Sequence, residues 1–337
     1  MEGQIGKMER ADLIRLFLKK NNLDKANFEW MPSDASFRHY ARITTKDKTY
    51  ILMDAPPPEI PEQFAVVDEV LCKNDLSAPI IYDTDLENGL ILLEDFGDAS
   101  YNSLLEEGFN ELELYKTSVR ALLKVAQIQE FPGIPPYDKD WLFQGLSVFI
   151  DWFIPNAIGR EVSDVEKNDF FKIWEVLFDT IGSDHNGLIL NDFHLSNMMF
   201  LNRTKHRTCG LLDFQDARVG PLSYDLVSLL EDARRDELPQ AITDEILDIY
   251  FDACPEINKE SFMRSYHIMA VKRHTRVIGV FVRLKVRDGK DKYLKHIPHV
   301  WRLLERHLDE PYMADLKKWL NRVVPKEYRK IPPCLEN

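Results

Sequence analysis

LILNDFHLSNMMFLNRTKHRTCGLLDFQDA, residues 188–217, decides how this chain is read. Asp192 is followed five residues later by Asn197, and Asp213 comes after a further apolar run. MMFL and CGLLDF flank the polar NRTKHRT in the way strands flank a hairpin turn. Asn197 enters the first of these strands and Asp213 leaves the second, so both belong at the same open end. Opposite positions on paired strands lie only about 4.5–5.5 Å apart at Cα. An amide oxygen and a carboxylate held that close suit Mg²⁺, which takes hard oxygen ligands and keeps most of its coordination for water and phosphate. Asp192 is then left as a general base, able to accept the proton of an alcohol as it attacks a phosphoryl group. The segment reads as the centre of an ATP-dependent kinase, with Asp192 as catalytic base and Asn197 and Asp213 as metal ligands.

The flanking sequence divides into two regions. Residues 8–21 place Leu13, Ile14, Leu16, Phe17 and Leu18 at helical spacing between charges, which predicts an amphipathic helix. SDASFRHYARI (33–43) and TYILMDA (49–55) alternate like strands around the polar TTKDK, and Pro56, Pro57 and Pro58 end the second one. Apolar residues at 64, 67, 70 and 71 then mark one helical face. In PIIYDTDLENGLILLEDFGD (79–98), two apolar runs surround Asn88-Gly89, a hairpin signal. From Tyr101 onward helical periodicity dominates except around residues 188–214, and FPGIPPYDKD reads as a loop. The expectation is an α+β chain in two closely packed lobes. Residues 1–96 form an N-terminal nucleotide-binding lobe with a small antiparallel sheet, and residues 97–337 a helical lobe with the catalytic loop and acceptor site.

Composition narrows the partners. A chain of 337 residues, 45% apolar and 29% charged, is large enough for a two-lobed globular enzyme. Its net charge of −13, without a Lys/Arg block, lacks the electrostatic footprint of a nucleic-acid or membrane-surface binder. Cys72, Cys209, Cys254 and Cys334 are far apart and suggest neither a zinc site nor a disulfide framework. No apolar run reaches signal-peptide or membrane-span length, so a cytoplasmic location is expected.

NDFHLSN (191–197) followed by LLDFQDARVGPLSYDLVSLL (211–230) resembles the aminoglycoside phosphotransferase superfamily. The strings SDASFRHYARI, YILMDAPP, APIIYDTDLENGLILLEDFGD, LLDFQDARVGPLSYDLVSLLEDARRD and RVIGVFVRLKVRDGKDKYL bring it closer to the bacterial N-acetylmuramate/N-acetylglucosamine anomeric sugar kinase branch. They follow in family order and span nearly the whole chain. The resemblance implies a protein-kinase-like fold, with ATP and Mg²⁺ as cofactors. It also implies γ-phosphoryl transfer to the anomeric hydroxyl of an amino sugar, as in cell-wall sugar salvage. It assigns Glu94, Asp95 and Phe96 to the inter-lobe hinge touching adenine, and Glu69 to the acidic position on the helix after the first strands.

Kinases of this shape carry a lysine on the third strand to hold the α- and β-phosphates, and here Met53 takes that place. Arg38 and Arg42, on one side of a strand by period-two spacing, are the candidate replacements. Arg42 is favoured, because it lies nearer the strand end and the strand of Met53. The alternative is backbone N–H groups over Ser33 to Ser36. His194 reads as a structural histidine bracing the loop, and Asp225 as either a helix N-terminal acid or a loop brace. Arg234 and Arg235 are either a solvated pair or a receptor for an acceptor carboxylate such as a lactyl group. The rival acceptors are an aminoglycoside, a choline-like amine or homoserine, the acidic surface favouring a cation by steering. A catalytically weak kinase-like binding protein is the remaining alternative.

Overall fold

The structure, a computed structural model, describes residues 9–32, 37–182 and 186–335. Ser33 and Ser36 lie outside the described residues. The chain begins with α1 (Arg10–Lys20), β1 (Asn27–Trp30), β2 (His39–Thr44), β3 (Thr49–Asp54), α2 (Pro61–Lys73), β4 (Ile81–Asp85) and β5 (Leu90–Glu94). The strands form one antiparallel sheet in the order β1-β2-β3-β5-β4. Thr44 pairs with Thr49 across the TTKDK turn, as the polar break between two alternating runs predicts. The strand β1 is an addition that four residues without clean alternation do not announce.

Alternation along the sheet separates two packing faces. Ala41, Ile43, Leu52, Leu90 and Leu92 lie under Ile14, Phe17 and Leu18 of α1. Met53, Ile91 and Leu93 point the other way, into the main core with Phe64, Val67, Val70 and Leu71 of α2. Each such buried side chain contributes about 1.5–3 kcal/mol, so a one-residue slip of register would exchange a core face for a solvated one. Gly89 closes the β4–β5 hairpin at φ +68°, and a Cβ there would lie 2.1 Å from the Ala55 carbonyl oxygen. Any side chain at 89 would therefore break both the turn and the strand end beside it.

The rest of the chain is mainly helical: α3 (Tyr101–Glu106), α4 (Glu111–Ala126), α5 (Lys139–Val148), α6 (Ile154–Ile158) and α7 (Asp164–Ile181). Two short antiparallel pairs follow, β6 (Asn186–Ile189) with β9 (Arg218–Pro221), and β7 (Met198–Phe200) with β8 (Cys209–Leu211). The last helices are α8 (Ser223–Leu230), α9 (Gln240–Ala253), α10 (Lys259–Asp288), α11 (Ile297–His307) and α12 (Ala314–Val323). The long α10 starts at an Asn258 side-chain cap and runs through the core against α5, α8 and α11. Its Gly279 lets it touch backbone, since a Cβ there would come within 2.6 Å of Val148 and Phe149 main-chain atoms.

One buried polar cluster ties α10 to its neighbours. Glu231, just past α8, accepts hydrogen bonds from Tyr266 Oη (2.8 Å), His274 Nε2 (2.7 Å) and His307 Nε2 (3.0 Å). The three elements are thereby tied at one point. Between sheet and helices, Phe64 of α2 stacks on Phe214 with ring centroids 4.9 Å apart. No helix among the described residues is long and apolar enough to cross a membrane.

Candidate active site

Asp192 is aimed by a loop held in place from below. Its predecessor Asn191 has φ +71°, a left-handed turn between β6 and the following residues. The N–H groups of Leu190 and Asn191 both donate to the buried carboxylate of Asp225 on α8. Of the two readings of Asp225, the loop brace is the one its contacts fit. Ser228 of the same helix donates to the Asn191 carbonyl and accepts from Arg273 Nε at 2.8 Å. The loop, α8 and α10 are thus linked through hydrogen bonds.

The hairpin places Asn197 and Asp213 together. Met198 pairs with Leu211, and the Leu212 N–H donates to the Asn197 carbonyl at 3.0 Å. Asn197 Nδ2 donates to the Asp192 carbonyl at 3.0 Å and lies 3.3 Å from Asp213 Oδ2. Asp213 itself has φ +58°, which turns its carboxylate toward Asn197; its side chain stays 48% exposed to the cleft. With Nδ2 engaged, the amide oxygen of Asn197 remains as a ligand atom. Partial withdrawal from water and the neighbouring Asp192 push the Asp213 carboxyl up. Two hard oxygen donors beside crowded negative charge fit a divalent cation that keeps positions for phosphate and water.

Around Asp192 the balance is opposite. Burial opposes its charge, but the guanidiniums of Arg276, Arg273 and Arg234 outweigh it and hold its carboxyl below the usual range. It is therefore ionised at neutral pH. His194 is pulled down to about 4 by burial and by Arg234, so it is neutral; Arg234 Nη2 lies 2.7 Å from its Nδ1. It acts as a hydrogen-bond partner within the loop.

A cleft of about 640 Å³ runs from the sheet to this loop. Ile51, Pro79, Leu93 and Met199 line one end together with Glu94, Asp95 and Phe96. The side chain of Glu94 is held by Arg203 from the β7–β8 turn, and Arg203 also stands 5.4 Å from the Phe96 ring centroid. Asp95 pairs with Arg42. Met53 is fully buried in the core and offers nothing to the cleft.

The two candidate arginines separate. Arg42 Nε lies 2.7 Å from Asp95 Oδ2 and its Nη1 2.8 Å from Asp98, so its guanidinium belongs to the hinge. Arg38 Nε donates to Glu59 at 2.7 Å and its Nη1 stands 3.6 Å from Asp213, with 12% of the side chain exposed. The preference for Arg42 is thereby corrected. Pairing of Tyr50 with Glu94 puts the TTKDK end of the strands beside the hinge, while the opposite end brings Arg38, next to His39, to Asp213. Glu69 is corrected too: it is 64% exposed and pairs with Lys73 one turn along α2. The acid that meets Arg38 is Glu59, ahead of α2, where a Pro-rich approach gave no helical period to read.

At the far end the cleft is lined by His194, Asp232, Arg234, Arg273 and Arg276, with an apolar wall of Val277, Val280, Phe281 and Leu284. Arg235 is turned away and pairs with Glu111. Arg273 and Arg276 give no sign in the sequence beyond their place in a long helical stretch; spacing of three puts them on one side of it.

A model of the phosphotransferase enzyme family, APH, matches residues 29–258. The chain is 32% identical to an N-acetylmuramate/N-acetylglucosamine kinase of Pseudomonas putida, over 84% of each chain. It is 30% identical to the protein of that description in Caulobacter vibrioides, over 96% of this chain and 99% of the relative. Among solved structures, a choline/ethanolamine kinase family protein from Mesorhizobium loti superposes with a TM-score of 0.63 at 10% identity, covering 93% of this chain and all of that one. An ADP-bound aminoglycoside phosphotransferase superposes with a TM-score of 0.57 at 15% identity, covering 88% and 97%. These structures establish the two-lobed, protein-kinase-like fold. The family match spans the sheet, the hinge and the loop bearing Asp192, Asn197 and Asp213, and the chain belongs to the phosphotransferase enzyme family, transferring phosphate from a nucleotide to an alcohol group of a small molecule.

Proposed function

We propose that this enzyme uses ATP with Mg²⁺ to phosphorylate the anomeric hydroxyl of N-acetylmuramate or N-acetylglucosamine. The observation that carries the reading is the 30–32% identity, over at least 81% of the chain, to four relatives described as kinases of those two sugars. In this reading residues 1–96 are the nucleotide-binding lobe and residues 97–337 the helical lobe with the acceptor site. The backbone of Glu94, Asp95 and Phe96 borders adenine, while the side chains of Glu94 and Asp95 fix the hinge. Asn197 and Asp213 hold Mg²⁺, which when bound offsets the negative charge of the phosphate oxygens. Arg38, steadied by Glu59, supplies the positive charge that the third strand lacks. The Ser33–Ser36 backbone remains the other candidate for that task.

Asp192 accepts the proton of the sugar hydroxyl as that oxygen bonds to the γ-phosphorus and the bond to the β-phosphate oxygen breaks, leaving ADP. Its ionised state at neutral pH fits the role. Arg234, Arg273 and Arg276 at the acceptor end disfavour a choline-like or aminoglycoside cation there. The test is ATP consumption with N-acetylmuramate, N-acetylglucosamine, choline, homoserine and an aminoglycoside, followed by phosphorus NMR of the product. An anomeric sugar phosphate is expected, and turnover confined to the non-sugar alcohols would sink the proposal.

A further inference from the structure

The acceptor end of the cleft holds buried polar groups left without partners among the described residues. Arg273 is 4% exposed; its Nε is used by Ser228, while its Nη1 is buried with no hydrogen-bond partner. Arg276, one turn further along α10 and half-buried, makes no hydrogen bond among the described residues, its charge being met only at longer range by Asp192 and Asp216. On the same wall, Asp232 is buried, takes the Arg234 N–H on Oδ1 at 3.0 Å, and leaves Oδ2 without a partner. Leaving such groups unsatisfied costs about 1–3 kcal/mol each, more when charged. A cleft that tolerates them is shaped for a ligand that completes them.

What would complete them differs group by group. An orphaned carboxylate oxygen accepts from a hydroxyl or an amide N–H, which any N-acetylamino sugar supplies. Orphaned guanidinium N–H groups need an anion, and a guanidinium matches a carboxylate in geometry as well as charge. The γ-phosphate is a poor occupant, because Arg38, Asn197 and Asp213 mark its place nearer the sheet. The apolar wall of Val277, Val280, Phe281 and Leu284 suits the carbon face of a sugar ring beside the charged groups.

We infer that Arg273 and Arg276 form a receptor for a carboxylate carried by the acceptor sugar, with Asp232 taking a hydroxyl or acetamido N–H of its ring. This rests on the sugar-kinase reading and deepens it: of the two sugars, N-acetylmuramate alone carries such a group, on its lactyl ether. The enzyme then separates a carboxylated from an uncharged amino sugar by side chains of α10.

The experiment measures kcat/KM for both sugars, and for the methyl ester of N-acetylmuramate, in the wild type, Arg276→Met, Arg276→Lys and Arg273→Met. Loss of a charge-assisted hydrogen bond is worth roughly 1.5–3 kcal/mol, so the ratio of N-acetylmuramate to N-acetylglucosamine should fall about 10- to 100-fold in each Met variant. Arg276→Lys should recover part of it, and the wild type should handle the ester like the uncharged sugar. N-acetylglucosamine is the reference for each variant, because a weaker hold of these guanidiniums on Asp192 slows both sugars alike and cancels in the ratio, and circular dichroism reports that each variant is folded. If a Met variant proves inactive with both sugars, binding of N-acetylmuramate and its ester to the wild type by calorimetry decides: equal affinities overturn the receptor. Equal losses on both sugars also overturn it, with the acceptor assignment intact. Absence of wild-type turnover with either sugar overturns the acceptor assignment and the receptor together.

Discussion

Asn197 and Asp213, sixteen residues apart in sequence, meet with Nδ2 3.3 Å from Oδ2 because Met198 and Leu211 pair at the mouth of one hairpin. The pair supplies an amide oxygen and a carboxylate to one point. Removing the carboxylate should abolish Mg²⁺-dependent nucleotide binding, so Asp213→Ala is expected to show no calorimetric signal for Mg·ATP at concentrations that saturate the wild type. Asn197→Ala should weaken it by a smaller factor, since a neutral ligand is lost. Unchanged Mg·ATP affinity in Asp213→Ala would remove that residue from the metal site.

Asp192 is kept ionised by arginines and pointed by a loop whose N–H groups end on Asp225. Replacing its carboxylate by an amide leaves the loop bonds in place and removes the proton acceptor. Asp192→Asn should therefore keep its affinity for Mg·ATP and lose about 10²- to 10⁴-fold in kcat. Turnover near the wild-type level in single-turnover measurements would dismiss it as the base.

Arg38 and Arg42 share a face of β2 but have different partners, Glu59 with Asp213 for one and Asp95 with Asp98 for the other. Arg38→Ala should raise KM for ATP about tenfold or more and KM for the acceptor far less, as expected for loss of a charge-assisted phosphate contact. Arg42→Ala should mainly lower the melting temperature by loosening the hinge. The reverse pattern would restore Arg42 to the phosphates, and normal ATP kinetics in both folded variants would transfer the task to the Ser33–Ser36 backbone.

Acid should weaken the fold through the Glu231 cluster. His274 is pulled down to about 4 by burial, from an ordinary value of 6.5. Its neutral form is favoured in the folded state, so its contribution is complete above pH 6.5 and is lost as pH falls from there toward 4. Glu231, despite burial, is held below the ordinary carboxylate range by hydrogen bonds from His274 and His307, and its contribution also disappears on acidification. Both act in the same direction. The melting temperature should fall steadily between pH 7 and pH 5, by an amount equivalent to about 1–2 kcal/mol. His274→Gln should flatten that slope; an unchanged slope would show that the titration lies elsewhere.

The parts of this molecule that were legible beforehand are those fixed by local pattern. Alternation over 33–43 and 49–55 points to β2 and β3, although β2 itself runs only from His39 to Thr44; Asn88-Gly89 marks the hairpin, and short apolar runs around NRTKHRT bring Asn197 to Asp213. What could not be read depends on which face or end of an element meets a distant one. Arg42 looked nearer to Met53 along the chain, but the pairing of β3 with β5 sends that end of the strand to the hinge. Glu59 lies before its helix begins, and Arg273 and Arg276 become cleft residues only once α10 crosses beneath the catalytic loop. A helix that is buried nearly all round hides such choices, because its charged positions no longer mark the solvent side.

Arg203 binds Glu94 and Ser77 together, and Ser77 in turn accepts from the Leu211 N–H and donates to the Arg207 carbonyl. The Glu94 end of the sheet is therefore riveted to the β7–β8 hairpin, the same hairpin that carries Asn197 and Asp213 at its opposite mouth. A body fastened along one edge can swing only about that edge. On the proposed reading, widening of the cleft then parts Arg38 from Asp213 first, and the phosphates are taken up or released while the slot beside Glu94 and Phe96 keeps its shape.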